Sequence, residues 1–159
     1  MLSIRSATID DAPLLATLIG ELAEYEKLSQ KVSMTERDVA RDGFGADPKF
    51  RALIAEWDGQ AAGYALFFPV YSTFQGRAGL FVEDVFVRPP FRGRGIGKKL
   101  FAHVADICRS SGCSYMRWDV LDWNRPAIEF YRKMGVLFLD QWKSVILLGE
   151  ALDAAAQRV

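Results

Sequence analysis

Several kinds of chemistry are excluded by what this chain has little of. Its 159 residues include one histidine, His103, and two cysteines, Cys108 and Cys113. A histidine-rich metal site or a Ser-His-Asp triad would hang on His103 alone, and the helical pattern around it makes it a partly buried structural side chain. The cysteines form no C-x-x-C pair, so they read as reduced, mostly buried thiols, and no metal is expected. Charge of one sign is also lacking. Twenty basic and twenty acidic residues cancel, leaving no global field to attract nucleic acid. No apolar run approaches the length of a membrane span, and Met1-Leu2-Ser3-Ile4-Arg5 has no signal-peptide hydrophobic region. The expectation is a cytoplasmic protein with neither a membrane nor a nucleic-acid partner. No internal repeat, low-complexity stretch or linker is visible. The length therefore points to one domain, 1–159, large enough to bury a core.

What the chain does have is concentrated in Leu80-Phe81-Val82-Glu83-Asp84-Val85-Phe86-Val87-Arg88-Pro89-Pro90-Phe91-Arg92-Gly93-Arg94-Gly95-Ile96-Gly97-Lys98-Lys99. The β-branched and aromatic first half reads as a strand, and Pro89-Pro90 ends it because neither residue can donate to a ladder. Three glycines then alternate with Arg94 and Ile96, and a helical pattern follows from Gly97. Glycine lets the backbone approach a ligand closely. A helix N-terminus behind such a loop brings unpaired N–H groups and a favourable dipole to a phosphate. Arg92, Arg94, Lys98 and Lys99 add positive charge, so the stretch reads as a pyrophosphate cradle. A P-loop is excluded, since Arg92 stands where its first glycine should be. A dinucleotide fingerprint is excluded because its third glycine position holds Lys98. What fits is R-x-x-G-x-G, at Arg92, Gly95 and Gly97; the bland alternative is a tight strand-to-helix connection that binds nothing.

Elsewhere the pattern alternates between the two periods. Residues 2–7 form a first strand; Asp10 or Asp11 caps a helix with Pro13 in its first turn and Leu14, Leu18, Leu22 and Tyr25 on one face. Thr35-Glu36-Arg37-Asp38 looks like a capping box for a second helix ending near Gly43-Phe44-Gly45. Residues 25–30 between these helices are a candidate substrate loop or an idle connection. Residues 51–57 and 62–68 pair as a hairpin about Asp58-Gly59, and the strand from Leu80 follows a turn at residues 76–79. A long helix closes near Gly112. Residues 114–121 read as a strand, 126–133 as a short helix ended by Gly135, and 136–140 with 144–148 as two last strands. The order predicts an α+β sheet domain with helices on both faces.

A second constellation follows the long helix and one strand: Asp119-Val120-Leu121-Asp122-Trp123-Asn124-Arg125-Pro126-Ala127-Ile128-Glu129-Phe130-Tyr131 and onward to Gly135. Asn124 sits as an N-cap with Pro126 in the first turn, and Tyr131 returns to the same face two turns later. Cap, proline, core aromatic and terminal glycine each have a structural explanation. The combination N-x-x-A-x-x-F-Y-x-x-x-G, placed behind R-x-x-G-x-G, resembles the paired signatures of the GNAT N-acetyltransferase family. Tyr25-Glu26, the segment from Thr35 to Gly45, Val82-Glu83-Asp84-Val85-Phe86-Val87 and Trp123-Asn124 with Tyr131 are similar to its diamine (spermidine/spermine) and thialysine acetyltransferase branch. The resemblance runs from about Ile4 to Gly135 and fades beyond.

That resemblance implies a mixed, mostly antiparallel central sheet and acetyl-CoA as cosubstrate. It implies that the backbone of Val85, Phe86 and Val87 holds the pantetheine arm. Arg92, Gly93, Arg94, Gly95, Ile96, Gly97 and Lys98 would hold the pyrophosphate. Asn124 with Pro126 and Ala127 would contact the coenzyme, and Tyr131 would be the general acid beside its sulfur. Tyr25, Glu26, Glu83, Asp84, Arg117, Trp118 and Asp119 fall on the amine site, and the branch's assembly implies a homodimer through the C-terminal strand. Arg117 departs from the pattern, since a cation facing a polyamine would repel it. The chemistry agrees with these roles. A lysine-type amine has a pKa near ~10, so a base must remove its proton, and a tyrosine can protonate the departing thiolate. Glu83 is the candidate base. Alternation sets it on the face opposite Asp84 unless a bulge rotates the strand, and an ordered water is the remaining candidate. Acidic groups around the site favour a small cationic amine. A protein lysine or N-terminal acetyltransferase and a non-catalytic acyl-CoA-binding module are the competing readings.

Overall fold

The computed structural model describes residues 1–157. The chain divides into two compact units, Met1–Asp119 and a second that begins at Val120. The first contains β1 (Leu2–Ser6), α1 (Ala12–Tyr25), α2 (Glu36–Phe44), β2 (Arg51–Trp57), β3 (Gln60–Ser72), β4 (Arg77–Val87), α3 (Ile96–Ser110) and β5 (Met116–Arg117). The strands lie in sequence order; β1 to β4 are antiparallel, and β5 joins β4 in parallel. The expected α+β class and mostly antiparallel sheet are present.

Alternation along the strands divides the core into two layers. Leu53, Ala65, Phe67, Leu80 and Val82 pack with Ile96, Leu100 and Val104 of α3. On the other face Ala52, Ile54, Tyr64, Leu66 and Phe86 pack with Leu15 and Leu18 of α1 and Val39 of α2. Leu15, Leu18 and Leu100 are fully buried, and each such side chain contributes roughly 1.5–3 kcal/mol. The helices start as their residues dictate. Thr35 Oγ1 accepts from Asp38 N at 3.2 Å while Asp38 accepts from Thr35 N at 2.9 Å, closing the expected box at α2. Pro13 lies in the first turn of α1, but Asp11 turns back to accept from Thr8 N and from Arg5.

Two departures in the sheet shape everything near β4. Leu66 stands opposite Asp84 and Phe67 opposite Val82, so Glu83 is an extra residue without a partner, a β-bulge. Strict alternation would place Val82 with Phe86. Instead Val82 packs in the α3 layer and Phe86 in the α1–α2 layer. The hairpin is also longer than expected: Ser72 pairs with Arg77, moving the turn to residues 73–76. The expected strand at 114–121 shortens to Met116–Arg117, which pairs with β4 only at Leu80 and Phe81.

The second unit holds α4 (Arg125–Arg132) and α5 (Gly149–Ala156). The strands expected at 136–140 and 144–148 do not form, and α5 was not expected. β-propensity describes fit to a neighbouring strand, and these segments have no ladder partner among the described residues. Their apolar side chains stay exposed, Leu137 at 88%, Val145 at 91% and Ile146 at 80%.

One partly buried ion pair, Arg5 being open to solvent and Asp11 mostly covered, ties β1 to the start of α1. Arg5 donates to both carboxylate oxygens of Asp11, at 2.7 and 2.8 Å, and to Glu56 at 2.9 Å. The Arg5 hydrogen bonds hold the Asp11 carboxyl down at about 2. A depressed carboxylate stabilises the fold above its unfolded pKa near ~4, and the contribution fades as pH falls toward the folded value. Asp11→Asn should therefore cost on the order of 2 kcal/mol at pH 7. In urea melts, the gap between variant and wild type should shrink steadily from pH 4 toward pH 2; a constant gap would show that the ion pair is not its source.

Candidate active site

The glycine-rich loop forms its cradle chiefly from backbone. Gly93 and Gly95 have φ of +77° and +76°, and nothing lies within 4 Å of where a Cβ would stand on either. Left-handed glycines facing open space leave room for a ligand to approach the main chain. Ile96, buried under the sheet, anchors the first turn of α3. No side chain among the described residues caps that helix, so its first N–H groups are available to an anion. Lys98 and Lys99 are exposed beside it.

The two arginines are used differently than the motif suggests. Arg92 Nε donates to the Val87 carbonyl at 2.8 Å, and its guanidinium lies 4.4 Å from the centre of the Tyr25 ring. Arg94 lies 4.8 Å from the ring centre of Trp57. Arg92 thus ties the loop to the C-terminal end of α1 instead of pointing into the cradle. A second tie runs alongside it. Arg88 donates to Glu21 of α1 at 2.7 and 2.8 Å and to the Ala61 carbonyl at 3.0 Å. Because β5 stops pairing at Phe81, the edge of β4 from 82 to 87 has no strand neighbour on that side among the described residues. Val85, Phe86 and Val87 lie along this open edge, next to the loop, and such an edge suits an extended ligand carrying amides.

On the α1–α2 side, Glu83 and Asp84 both line a cavity of about 590 Å³. The expected separation onto opposite faces is therefore overturned: the bulge turns both carboxylates to the same side. The walls are mostly apolar, from Ile19, Val32, Met34, Phe50, Leu66 and Phe68, with Lys31, Ser33 and Lys49 also present. Asp84 accepts a hydrogen bond from the Tyr64 hydroxyl at 3.0 Å. Burial pushes its carboxyl up to about 6 against the opposing effect of that hydrogen bond, with help from the charges of Glu83 and Glu26. Burial, and then the neighbouring charge of Asp119, also raises Glu83. The Tyr64 hydroxyl is fully buried and held protonated, by burial first and by Asp84 next. The result is an apolar cavity lined by two carboxylates whose proton affinities are both raised above the ordinary range.

The other expected amine-site residues fall around this cavity without lining it. Tyr25 lies under Arg92, and burial raises the Glu26 carboxyl, whose charge reaches Asp84. Asp119 acts on Glu83 through its charge. Trp118 is a correction: it packs in the α3 layer, with its ring 5.2 Å from Phe101. Met116 lies in that same layer, so Arg117 between them turns to the other face, where it is exposed. The candidate substrate loop at 25–30 shifts downstream, because residues 31 to 34 supply the wall. Tyr64, Lys31 and Lys49 were not foreseen. Tyr64 was within reach of the sequence, since hairpin pairing sets it opposite Phe86.

In the second unit, Asn124 caps α4 by accepting from Ala127 N at 3.4 Å, with Pro126 in the first turn. Tyr131 meets Phe130 edge-on at 5.4 Å between ring centres. Gly135, at φ +77°, follows the helix end. The expected helix and cap are present.

An open strand edge beside an uncapped, glycine-led helix is suited to an extended, phosphate-bearing ligand. Comparison with known proteins defines the protein: residues 17–136 match the Acetyltransferase (GNAT) family, and the chain belongs to that family of acyltransferases. It is 40% identical over 164 residues to the thialysine N-epsilon-acetyltransferase of Sus scrofa, with 96% of each chain covered. It is 30% identical over 197 residues to an L-ornithine N5-acetyltransferase of Arabidopsis thaliana, covering 95% of this chain and 86% of that one. Among solved structures, an integron cassette protein from the mobile metagenome of V. cholerae superposes with a TM-score of 0.82 at 22% identity, over 98% of both chains.

Acetyl-CoA, the family's acetyl donor, should bind at the cradle and raise the melting temperature by mass action. Gly95→Asp forces a side chain into a left-handed position and sets a negative charge against the phosphates, so the shift should vanish. Equal affinity of variant and wild type by titration calorimetry would remove the cradle from the site.

Proposed function

We propose that the protein transfers the acetyl group of acetyl-CoA directly to the primary amine of a small cationic molecule. The observation that carries this reading is the pair Glu83 and Asp84, turned by the bulge into one cavity beside the open edge of β4. The likeness to thialysine and ornithine acetyltransferases supports it. The family match extends across both units, which supports treating the chain as one catalytic domain.

The fit to the donor comes from the left-handed glycines, the uncapped start of α3 and the main chain of Val85 to Val87. Gly93 to Lys98 would hold the pyrophosphate through backbone N–H groups, with Lys98 supplying charge. Asn124, Pro126 and Ala127 would complete the coenzyme contacts. The thioester supplies the acetyl group. An ammonium entering the cavity is attracted by both carboxylates, and one of them, directly or through water, removes its proton. The freed amine attacks the thioester carbonyl, and the tetrahedral adduct collapses with cleavage of the C–S bond. Tyr131 is the proposed donor of a proton to the leaving thiolate. Sequence alone assigns the base to Glu83. Burial shifts our assignment to Asp84, whose pKa of about 6 is better matched to a proton acceptor near neutral pH, with Glu83 attracting the cation.

Steady-state rates with a diamine and with thialysine test these roles. The wild-type kcat/KM should rise about tenfold per pH unit below pH 6, as Asp84 ionises, and then level. Asp84→Asn should lose that limb and most of the rate, whereas Glu83→Gln should act mainly on KM. Tyr131→Phe should keep acetyl-CoA binding and lower kcat by ~10²–10⁴-fold. A silent Asp84→Asn with a crippled Glu83→Gln returns the base to Glu83. If both are silent, the argument for a carboxylate base is lost.

A homodimer and a cytoplasmic location belong to the same proposal. The exposed apolar run containing Trp142, Val145, Ile146, Leu147 and Leu148 needs cover, which a second copy would supply. Acetyl-CoA and free thiols such as Cys108 and Cys113 suit the cytoplasm. Light scattering should give twice the chain mass at micromolar concentration, and monomer mass would rule the dimer out.

A further inference from the structure

The cavity wall carries side chains of both signs of charge. Glu83 and Asp84 are its acidic residues, and Lys31 and Lys49, from segments remote in sequence, are its basic ones. The same wall includes Ile19, Val32, Met34, Phe50, Leu66 and Phe68, an apolar lining suited to methylene or thioether groups. The two cations are not equivalent. The Lys49 ammonium is paired with the exposed Asp47. The Lys31 ammonium, at the end of the turn Ser29–Lys31, has no ion-pair partner among the described residues. A diamine seated with one ammonium at Glu83 and Asp84 would carry its second ammonium toward these lysines and be repelled. A molecule with an amine at one end and a carboxylate at the other would match both signs of charge.

Resting on the acetyltransferase reading above, we infer that Lys31 is a specificity-determining residue. It binds the carboxylate of an amino-acid substrate whose terminal amine is acetylated, with Lys49 as the weaker second cation. The preference over diamines arises because Lys31 repels the second ammonium that both molecules carry, and only the amino acid offsets this with a carboxylate that Lys31 attracts. Lys31 lies on an exposed turn and contributes nothing to either core layer, so its substitution leaves the fold intact.

The test compares thialysine with its decarboxylated diamine, which keeps the linker and lacks only the carboxylate. The wild type should prefer thialysine. Lys31→Ala should raise KM for thialysine about tenfold while leaving the diamine unchanged or improved, and Lys31→Glu should reverse the preference. Lys31→Arg should retain it, and Lys49→Ala should have a smaller effect in the same direction. A change in KM of equal size for both substrates, or for neither, would overturn the assignment while leaving acetyl transfer to amines in place. If the wild type binds acetyl-CoA but acetylates neither amine, the acetyltransferase reading fails and this inference with it.

Discussion

The site depends on one irregularity of backbone pairing, the extra residue in β4. Leu66 and Phe67 are consecutive in β3, yet the residues opposite them, Asp84 and Val82, are not consecutive in β4. Inserting Glu83 changes which face the strand presents. Before the bulge, Val82 completes the α3 layer; after it, Phe86 completes the α1–α2 layer. Two carboxylates that strict pleating would have separated come to the same cavity. Burial then raises both proton affinities, with the charge of Glu83 adding to the rise at Asp84 and the charge of Asp119 adding to that at Glu83. A small change in pairing thus produces an electrostatic property that no single residue carries.

The same strand organises the donor side. β5 leaves β4 at Phe81, just before the bulge, so the open edge and the rotated segment coincide. Where the strand ends, two arginines connect it to α1: Arg88 through Glu21, and Arg92 through Tyr25 and the Val87 carbonyl. The glycine-rich loop and the helix α1, whose Ile19 borders the cavity, are thereby tied together. The charge of Arg88 and Arg92 serves positioning here, and among the described residues the backbone N–H groups at the start of α3 are left without a side-chain cap.

Much of this was legible along the chain. The strand run before Pro89-Pro90, the glycines at 93, 95 and 97, the capping box at Thr35 and the cap at Asn124 act over a few residues, through steric limits and local hydrogen bonds, and they form where expected. The segments 136–140 and 144–148 were misread for the opposite reason. Their residues suit a sheet, but a strand exists only with a neighbour, and the described chain offers none. Trp118 stands at the amine site only by family resemblance, which carries over the whole segment from Arg117 to Asp119 and cannot tell which of the three side chains faces the cavity. Its ring instead found a place against Phe101.

By itself, then, the sequence determined the class of fold, the glycine-rich turn into α3 and the acidic dipeptide, since each rests on short-range rules of backbone sterics and periodicity. Tertiary structure alone decided that Glu83 and Asp84 share a face, that Arg92 turns to Tyr25, and that Lys31 and Lys49 border the same cavity as the two carboxylates. These are outcomes of register and packing between segments far apart in the chain. A one-residue shift in pairing moves every following side chain to the other face, and no local pattern encodes which shift the assembled sheet will adopt.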